Sequence, residues 1–279
     1  MQVVKTISEL RSARRNLPAA VGMVPTMGFL HAGHLSLVRA ARRDCASVIV
    51  SIFVNPTQFA PHEDLDAYPR NTARDLELLA AEGAHLIWIP DAEEMYPEDF
   101  QTWVEVVEVT RPLEGLYRPI HFRGVTTVVA KLFNAATPHQ AYFGQKDAQQ
   151  AAVIQQMVRD LNFGVEIKVC PTVREPDGLA FSSRNAYLDP EERRAAAILF
   201  KALSNAQIAF NKGERSADLL REIMKTALNS EPLANPQYVS CSNPDTLLEL
   251  TGQINGCALL TMAVFFGKTR LIDNMILEA

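Results

Sequence analysis

Apolar residues along the chain gather into short β-branched runs separated by longer amphipathic stretches. The clearest run is 47–54, SVIVSIFV, almost wholly apolar, as a strand covered on both faces should be. Residues 1–5 and the runs at 20–24, 85–89, 103–109, 141–143 and 165–169 predict further strands. Helical stretches lie between them. Thr6 and Glu9 make a capping-box pattern that opens a helix up to about residue 16. Further helices are predicted at 33–43, at 72–82 (opened by Thr72 with Asp75), at 125–134 and at 147–160. Strands alternating with long helices predict an α/β fold with a parallel sheet and helical crossovers.

The rhythm changes after Pro171. Asp189-Pro190-Glu191-Glu192 is a strong helix start, and its helix is predicted to run to residue 210. Ser216 opens another, with Leu219, Leu220, Ile223, Met224 and Ala227 as its apolar stripe. Strands follow at 238–242, 258–266 and 270–276, the last two flanking Gly267-Lys268 as a hairpin. The C-terminal part therefore reads as a small α+β domain. The boundary is predicted near residues 173–177, giving domains 1–175 and 176–279.

Composition narrows the function classes. The 279 residues carry 27 Lys+Arg and 32 Asp+Glu, a formal charge of -5, with no long block of one sign. Nucleic acid is not an expected partner, although a local basic pocket for a small anion stays open. No apolar stretch reaches the length of a membrane span, and no signal peptide is read at the start. Cys45, Cys170, Cys241 and Cys257 are widely spaced in or beside apolar runs and read as reduced, buried thiols. The cytoplasm is the expected compartment.

Five segments carry candidate chemistry, most where a predicted strand hands over to a helix, where open α/β sheets bind ligands. The first runs Pro25-Thr26-Met27-Gly28 to His31-Ala32-Gly33-His34. Helix-start N–H groups favour a phosphate there, and the histidines, three apart, share one side of a turn. They either donate to phosphate oxygens, cap the helix, or form a zinc pair that would need another ligand from elsewhere. The second is Phe53 to Phe59, where Asn55 and Gln58 suit a small polar substrate unless Asn55-Pro56 merely ends the strand. The third is Gly144-Gln145-Lys146-Asp147 with Gln149 and Gln150. Lys146 suits a phosphate, whereas Asp147 either caps the helix or meets the ligand. The two glutamines point about 100° apart, so one of them at most is expected to face a pocket. The fourth, Gly178 to Asn185, holds Phe181, Ser182, Ser183 and Arg184 and reads as phosphate-binding or as a polar linker. The fifth puts Arg118, His121 and Arg123 in a loop before a helix. Together they describe a phosphate-handling pocket built for transition-state charge. No nucleophile elbow is present and no cysteine adjoins a histidine, which argues against conventional hydrolases.

In order and spacing these segments, with Tyr68-Pro69-Arg70 and Asp177-Gly178-Leu179-Ala180, resemble the pantothenate synthetase (pantoate–β-alanine ligase) family over residues 25–185. The His-x-Gly-His element alone would indicate only the wider nucleotidyltransferase superfamily. The resemblance implies a Rossmann-like domain for ATP and pantoate, a C-terminal lid domain, and a homodimer. It implies that pantoate and ATP give pantoyl adenylate, which β-alanine converts to pantothenate and AMP, with Mg²⁺ accompanying the nucleotide. His31 and His34 would then hold the triphosphate, His34 being the usual catalytic assignment. Pro25, Thr26, Met27 and Gly28 would line the ATP site. Gly144, Gln145, Lys146 and Asp147 would meet phosphate and ribose, and Val173 the adenine side. Phe181 would flank the loop in which Ser182, Ser183 and Arg184 grip phosphates. Gln58 and Gln150, with Asn55, would hold pantoate. No protein ligand for the metal is implied. Ile120, Ala148 and Phe181 depart from the family's common residues without removing a charged or hydrogen-bonding group.

Overall fold

The computed structural model describes residues 1–61 and 63–278. Its strands are β1 (Gln2–Val4), β2 (Val21–Thr26), β3 (Ser47–Ile52), β4 (Leu86–Trp88), β5 (Gln140–Gly144), β6 (Glu166–Cys170), β7 (Ala234–Ser242), β8 (Ala258–Phe266) and β9 (Thr269–Leu277). Its helices are α1 (Ile7–Arg15), α2 (Ala32–Asp44), α3 (Thr72–Ala81), α4 (Ala92–Met95), α5 (Glu114–Tyr117), α6 (His121–Ala136), α7 (Ala148–Asp160), α8 (Pro190–Ala195), α9 (Ile198–Asn211) and α10 (Ala217–Asn229). They form two compact units, residues 1–145 with 150–171, and residues 146–149 with 172–279.

The first unit is the expected Rossmann-like layer. Six strands lie in the order β1-β4-β3-β2-β5-β6, every neighbouring pair parallel. From β2 the chain builds outward through β3 and β4, then returns to build the other way through β5 and β6. The order therefore reverses between β2 and β5, which pair only at Gly22–Gln140 and Met23–Ala141. The carboxyl ends of the two strands lie beyond those pairs, and the carboxyl ends at such a reversal are the usual ligand position of open α/β sheets. All six β3 residues are buried, with Val38 and Ala41 of α2 and Leu79 of α3 packed into the same core. In the second unit β7-β8-β9 are antiparallel. Leu203 and Phe210 of α9 and Leu220 and Met224 of α10 share its core with Met262 and Val264 of β8.

Several local expectations change. The strand expected to stop before Pro25 continues through Thr26. The Ala20 and Thr26 carbonyls accept from Ser47 and Phe53 on the β3 side, and the Val21 carbonyl accepts from His139 on the β5 side. By alternation Pro25 faces β5, past the last β5 pair, where its missing N–H leaves no ladder bond unmade. Residues 103–109 are not a strand. Val104 N–H donates to Thr127 Oγ1 at 3.0 Å and its carbonyl accepts from Thr126 Oγ1 at 2.6 Å, so α6 hydroxyls replace a ladder. Helix α6 starts at His121, so His121 to Gly124 form its first turn and not a loop. The helix expected over 189–210 divides into α8 and α9, where Ala197 and Leu199 bond back to Arg194 and Ala196, three residues away. Leu219 is 52% exposed and so lies off the buried stripe of α10. The four cysteines are free, but Cys170 is half-buried and Cys257 is exposed.

Candidate active site

Helix α2 begins at the carboxyl end of β2, and the loop before it is tightly organised. Thr26 Oγ1 donates to the Ser51 carbonyl at 2.8 Å and accepts from Gly28 N–H at 3.2 Å. Gly28 has φ +83° and Phe29 φ +50°, both in the left-handed region. A Cβ on Gly28 would also sit 3.0 Å from Ile52 Cγ2, so a side chain there would be strained by conformation and crowded by its neighbour. Asp75 reaches across from α3 and accepts from Phe29 N–H at 2.7 Å and Leu30 N–H at 2.8 Å. The sequence pattern pairs Asp75 with Thr72 at the start of the helix. In the structure Asn71 caps α3 by accepting from Arg74 N–H, one residue earlier than expected, and Asp75 is left for the loop.

His31 is the N-cap of α2 and His34 is its third residue. Their rings lie 4.0 Å apart between centroids. His31 N–H donates to His34 Nδ1 at 3.4 Å. An accepting Nδ1 places the His34 proton on Nε2, which makes that nitrogen a donor. The capping and anion-binding readings of this pair are therefore compatible: one ring nitrogen of His34 organises the turn, and the other carries an N–H. The helix start adds favourable polarity for an anion.

The second and fifth segments meet the first. Gln58 is buried in the 3-10 turn Pro56–Gln58, and its Nε2 lies 3.0 Å from Met27 Sδ. Asn55, 1% exposed, donates from Nδ2 to Gln58 Oε1 and to the Gly124 carbonyl. Its Oδ1 accepts from Thr57 N–H, Thr57 Oγ1 and Tyr96 Oη. Asn55 thus ties the turn to α6. His121 Nδ1 lies 2.9 Å from the Gln58 carbonyl, so Nδ1 carries the proton and donates. Arg118 lies 3.3 Å from His121 Nε2 and grips Glu63 through two bonds of 2.5 and 2.8 Å. Burial first, and the Arg118 charge second, hold the His121 pKa down to about 4. Burial pushes the Glu63 carboxyl up, but the Arg118 hydrogen bond and charge outweigh it and leave the group lowered. Arg118 therefore meets a carboxylate of its own chain, while Arg123 stacks over Trp103 at 4.9 Å. Gln150 is half-buried on α7, and Gln149 beside it is buried.

The second unit joins the third and fourth segments through β9. Lys146 Nζ lies 3.6 Å from Asp147 Oδ1. The Lys146 carbonyl accepts from Asn274 Nδ2 at 2.8 Å. Arg174 forms a two-pronged pair with the buried Asp273 and stacks on Phe200 at 4.5 Å. Phe181 N–H donates to the Val173 carbonyl, which closes a turn that presents Ser182. Ser182 Oγ accepts from Arg184 N–H at the start of the 3-10 turn Ser183–Tyr187. Arg193 pairs with Glu175 and Asp177, and Asn185 donates to Glu175, so the linker residues of this segment are structural ties. In the first unit, a Cβ on Gly144 would meet nothing within 4 Å, leaving open space beside that backbone.

A sequence profile described as pantoate-beta-alanine ligase matches residues 2–276. The chain belongs to that family. The pantothenate synthetase of Roseiflexus castenholzii is 59% identical over 279 residues, covering 100% of both chains. The crystal structure of the pantothenate synthetase from Thermus thermophilus superposes with a TM-score of 0.94 at 47% identity, covering 99% of each chain. The pantoate-beta-alanine ligase of Francisella tularensis, described as complexed with beta-gamma ATP and beta-alanine, gives 0.81 at 34% identity, covering 99% of this chain and 97% of its own. As expected for this family, the chain joins a parallel Rossmann-like sheet to a smaller antiparallel one.

Sequence reasoning missed the supports of the site. Asp75 was legible only as the partner of Thr72 at a helix start, because its two partners in the fold lie more than forty residues away in sequence. Glu63 and Tyr96 carried no motif signal, since each acts through a neighbour brought close by folding.

Proposed function

We propose that this chain condenses pantoate with β-alanine to give pantothenate, AMP and diphosphate, through a pantoyl adenylate. It is an AMP-forming ligase that uses ATP as co-substrate. The observation that carries this reading is the family match along nearly the whole chain.

Pantoate is ionised near neutral pH, so its carboxylate attacks the α-phosphorus of ATP without a general base. A bond from that oxygen to phosphorus forms, and the bond to the α–β bridging oxygen breaks. The bridging oxygen leaves with the electron pair as part of diphosphate. His34 Nε2–H, with His31 beside it, donates to the oxygens on which charge develops. The backbone at Pro25, Thr26, Met27 and Gly28 lines the nucleotide. Gln58 and Gln150 hold pantoate, and Asn55 positions Gln58. In the second unit Lys146, Asp147, Ser182, Ser183 and Arg184 are assigned to phosphate and ribose, and Val173 and Phe181 to the nucleotide's flank. Gly144 and Gln145 are assigned to the same nucleotide. In the second step the free amine of β-alanine attacks the acyl carbon and sheds a proton, and AMP leaves. Keeping water from the adenylate directs it to the amine. The first unit is assigned ATP and pantoate binding, and the second the lid role.

Mg²⁺ accompanies ATP in this reading. Among the described residues no group of three or more His, Cys, Asp or Glu could hold a metal ion. In this reading phosphate oxygens and water hold the metal, and the side chains named above act on the nucleotide itself. A homodimer is part of the reading. Val107, Leu116, Tyr117 and Ile120 are exposed along one stretch of the first unit, which suits an interface there. Among the described residues no helix is long and apolar enough to cross a membrane. The free cysteines suit a reducing compartment such as the cytoplasm.

The deciding experiment is pantoate-dependent exchange of labelled diphosphate into ATP, with Mg²⁺ and without β-alanine, beside a panel of small hydroxy acids. Exchange with pantoate alone is expected. Exchange with a different acid only would retain adenylate formation and reject pantoate as the substrate.

A further inference from the structure

The loop before α2 holds a polar arrangement that phosphate recognition does not by itself explain. Two successive N–H groups, those of Phe29 and Leu30, are bound by one carboxylate, Asp75, at 2.7 and 2.8 Å. Asp75 is 1% exposed and comes from α3, more than forty residues downstream. A backbone turn with left-handed residues aims its N–H groups inward and forms an anion-binding concavity. Here that concavity is filled by the protein's own anion. A Cβ on Gly28 would stand 3.1 Å from Asp75 Oδ2, so the carboxylate fits against the backbone itself. Phe29 is a bulky residue at φ +50°, a conformation that persists only when its surroundings hold it. Arg74, the neighbour of Asp75, donates from Nη1 to the Leu30 carbonyl at 3.0 Å and lies over the Phe29 ring at 5.8 Å. One turn of α3 therefore grips the loop through both N–H and C=O groups.

The next residue after this grip is His31, whose N–H donates to His34 Nδ1. The chain of contacts is thus Asp75 to Phe29 and Leu30, then His31, then the tautomer of His34. We infer that Asp75 is a positioning residue for adenylation: it clamps the Gly28–Leu30 turn so that the Nε2 donor of His34 stands where the triphosphate is bound. Asp75 itself touches no reacting atom. This inference rests on the proposed role of His31 and His34 at the triphosphate.

The clamp matters to the two half-reactions unequally. Diphosphate leaves in the first, and the histidines act there. The second uses the adenylate after diphosphate has gone. Loss of the clamp is therefore expected to slow the first step selectively.

Asp75→Asn replaces one acceptor oxygen by a donor that opposes an N–H group. It is expected to lower the rate of pantoate-dependent diphosphate exchange about 100-fold, as for an ångström-scale misplacement. Conversion of supplied pantoyl adenylate by β-alanine should stay within about threefold, which a general structural defect would not allow. In a His34→Ala background the same substitution should lose most of its effect, because the group it positions is gone. Asp75→Glu keeps the charge but moves it, and should show the same split between steps. Equal loss in both steps, or an undiminished Asp75→Asn effect beside His34→Ala, overturns the inference. So does failure of both variants to fold, since the clamp would then serve the whole unit. If His34→Ala leaves exchange unchanged, the histidine reading itself has failed and the inference falls with it.

Discussion

At His121 one neutral imidazole binds a backbone carbonyl that helps set the Gln58 turn. Its Nδ1–H donates to the Gln58 carbonyl, and its other nitrogen faces the Arg118 guanidinium. The folded pKa of about 4 lies below the ordinary 6.5 because burial and Arg118 both disfavour the cation. The unfolded chain therefore binds the proton first as pH falls. Stability from this group is present above about pH 6.5 and is lost as pH drops toward 4, about 3 kcal/mol at most. Glu63, held low by Arg118, loses its contribution in the same direction at more acid pH. His121→Asn keeps a donor for the Gln58 carbonyl but does not titrate. Urea midpoints measured from pH 7 to pH 4 are expected to fall less steeply in this variant. An unchanged slope would show that His121 is not the titrating group. The motif containing Arg118 and His121 was visible in the sequence, but its expected ligand was not a carboxylate of the same chain. Side-chain charge is legible in a sequence, whereas the partner that neutralises it comes from folding.

Elements explain why the segments around Gln58 interlock. Helix α6 starts four residues earlier than its apolar stripe suggests, because its N-cap, Ile120, offers no side-chain signal. Gly124 falls in that first turn. A Cβ there would lie 2.5 Å from the Thr57 carbonyl and 2.7 Å from Gln58 N. Gly124 is what lets α6 approach the Pro56–Gln58 turn, and its own carbonyl accepts from Asn55. Gly124→Ala is expected to destabilise the fold by about 1–3 kcal/mol through overpacking against backbone. It should also raise the KM for pantoate more than that for ATP, since the displaced atoms belong to Gln58. A thermal melt with exchange kinetics for both substrates checks this, and a neutral alanine would reject the close approach. Strongly patterned elements were readable: β3 from its apolar run, α1 from its capping box, and the β8–β9 hairpin from Gly267-Lys268. The weak ones were not. Residues 103–109 have strand-like composition, but their hydrogen bonds go to threonine hydroxyls on α6.

Across the whole molecule, connectivity decides where chemistry sits. The strand order reverses between β2 and β5, and β2 leads into the loop that carries His31 and His34, the position at which such sheets usually bind ligands. The pairing of β2 and β5 was not visible in the local pattern, because each strand alone is only a short apolar run. Exposed Val107 and Leu116, at 54% and 68%, are the natural probes of assembly. Sedimentation velocity should return twice the chain mass, and Val107→Glu with Leu116→Glu should return a single chain mass. A monomer without any substitution would reject the dimer reading.

The sequence by itself determined the class of the fold and the family, and it singled out the segments proposed to carry the chemistry. These depend on hydrophobic period, capping residues and motif order, all of which are local or linear properties. Tertiary structure alone decided which groups serve those segments. Asp75 left its helix cap for the Phe29 and Leu30 N–H groups, Asn55 turned all its polar atoms inward, and Arg118 paired with Glu63. The physical reason is common to the three. A buried polar atom must find a partner within hydrogen-bond reach, and only the folded chain sets which partner is there.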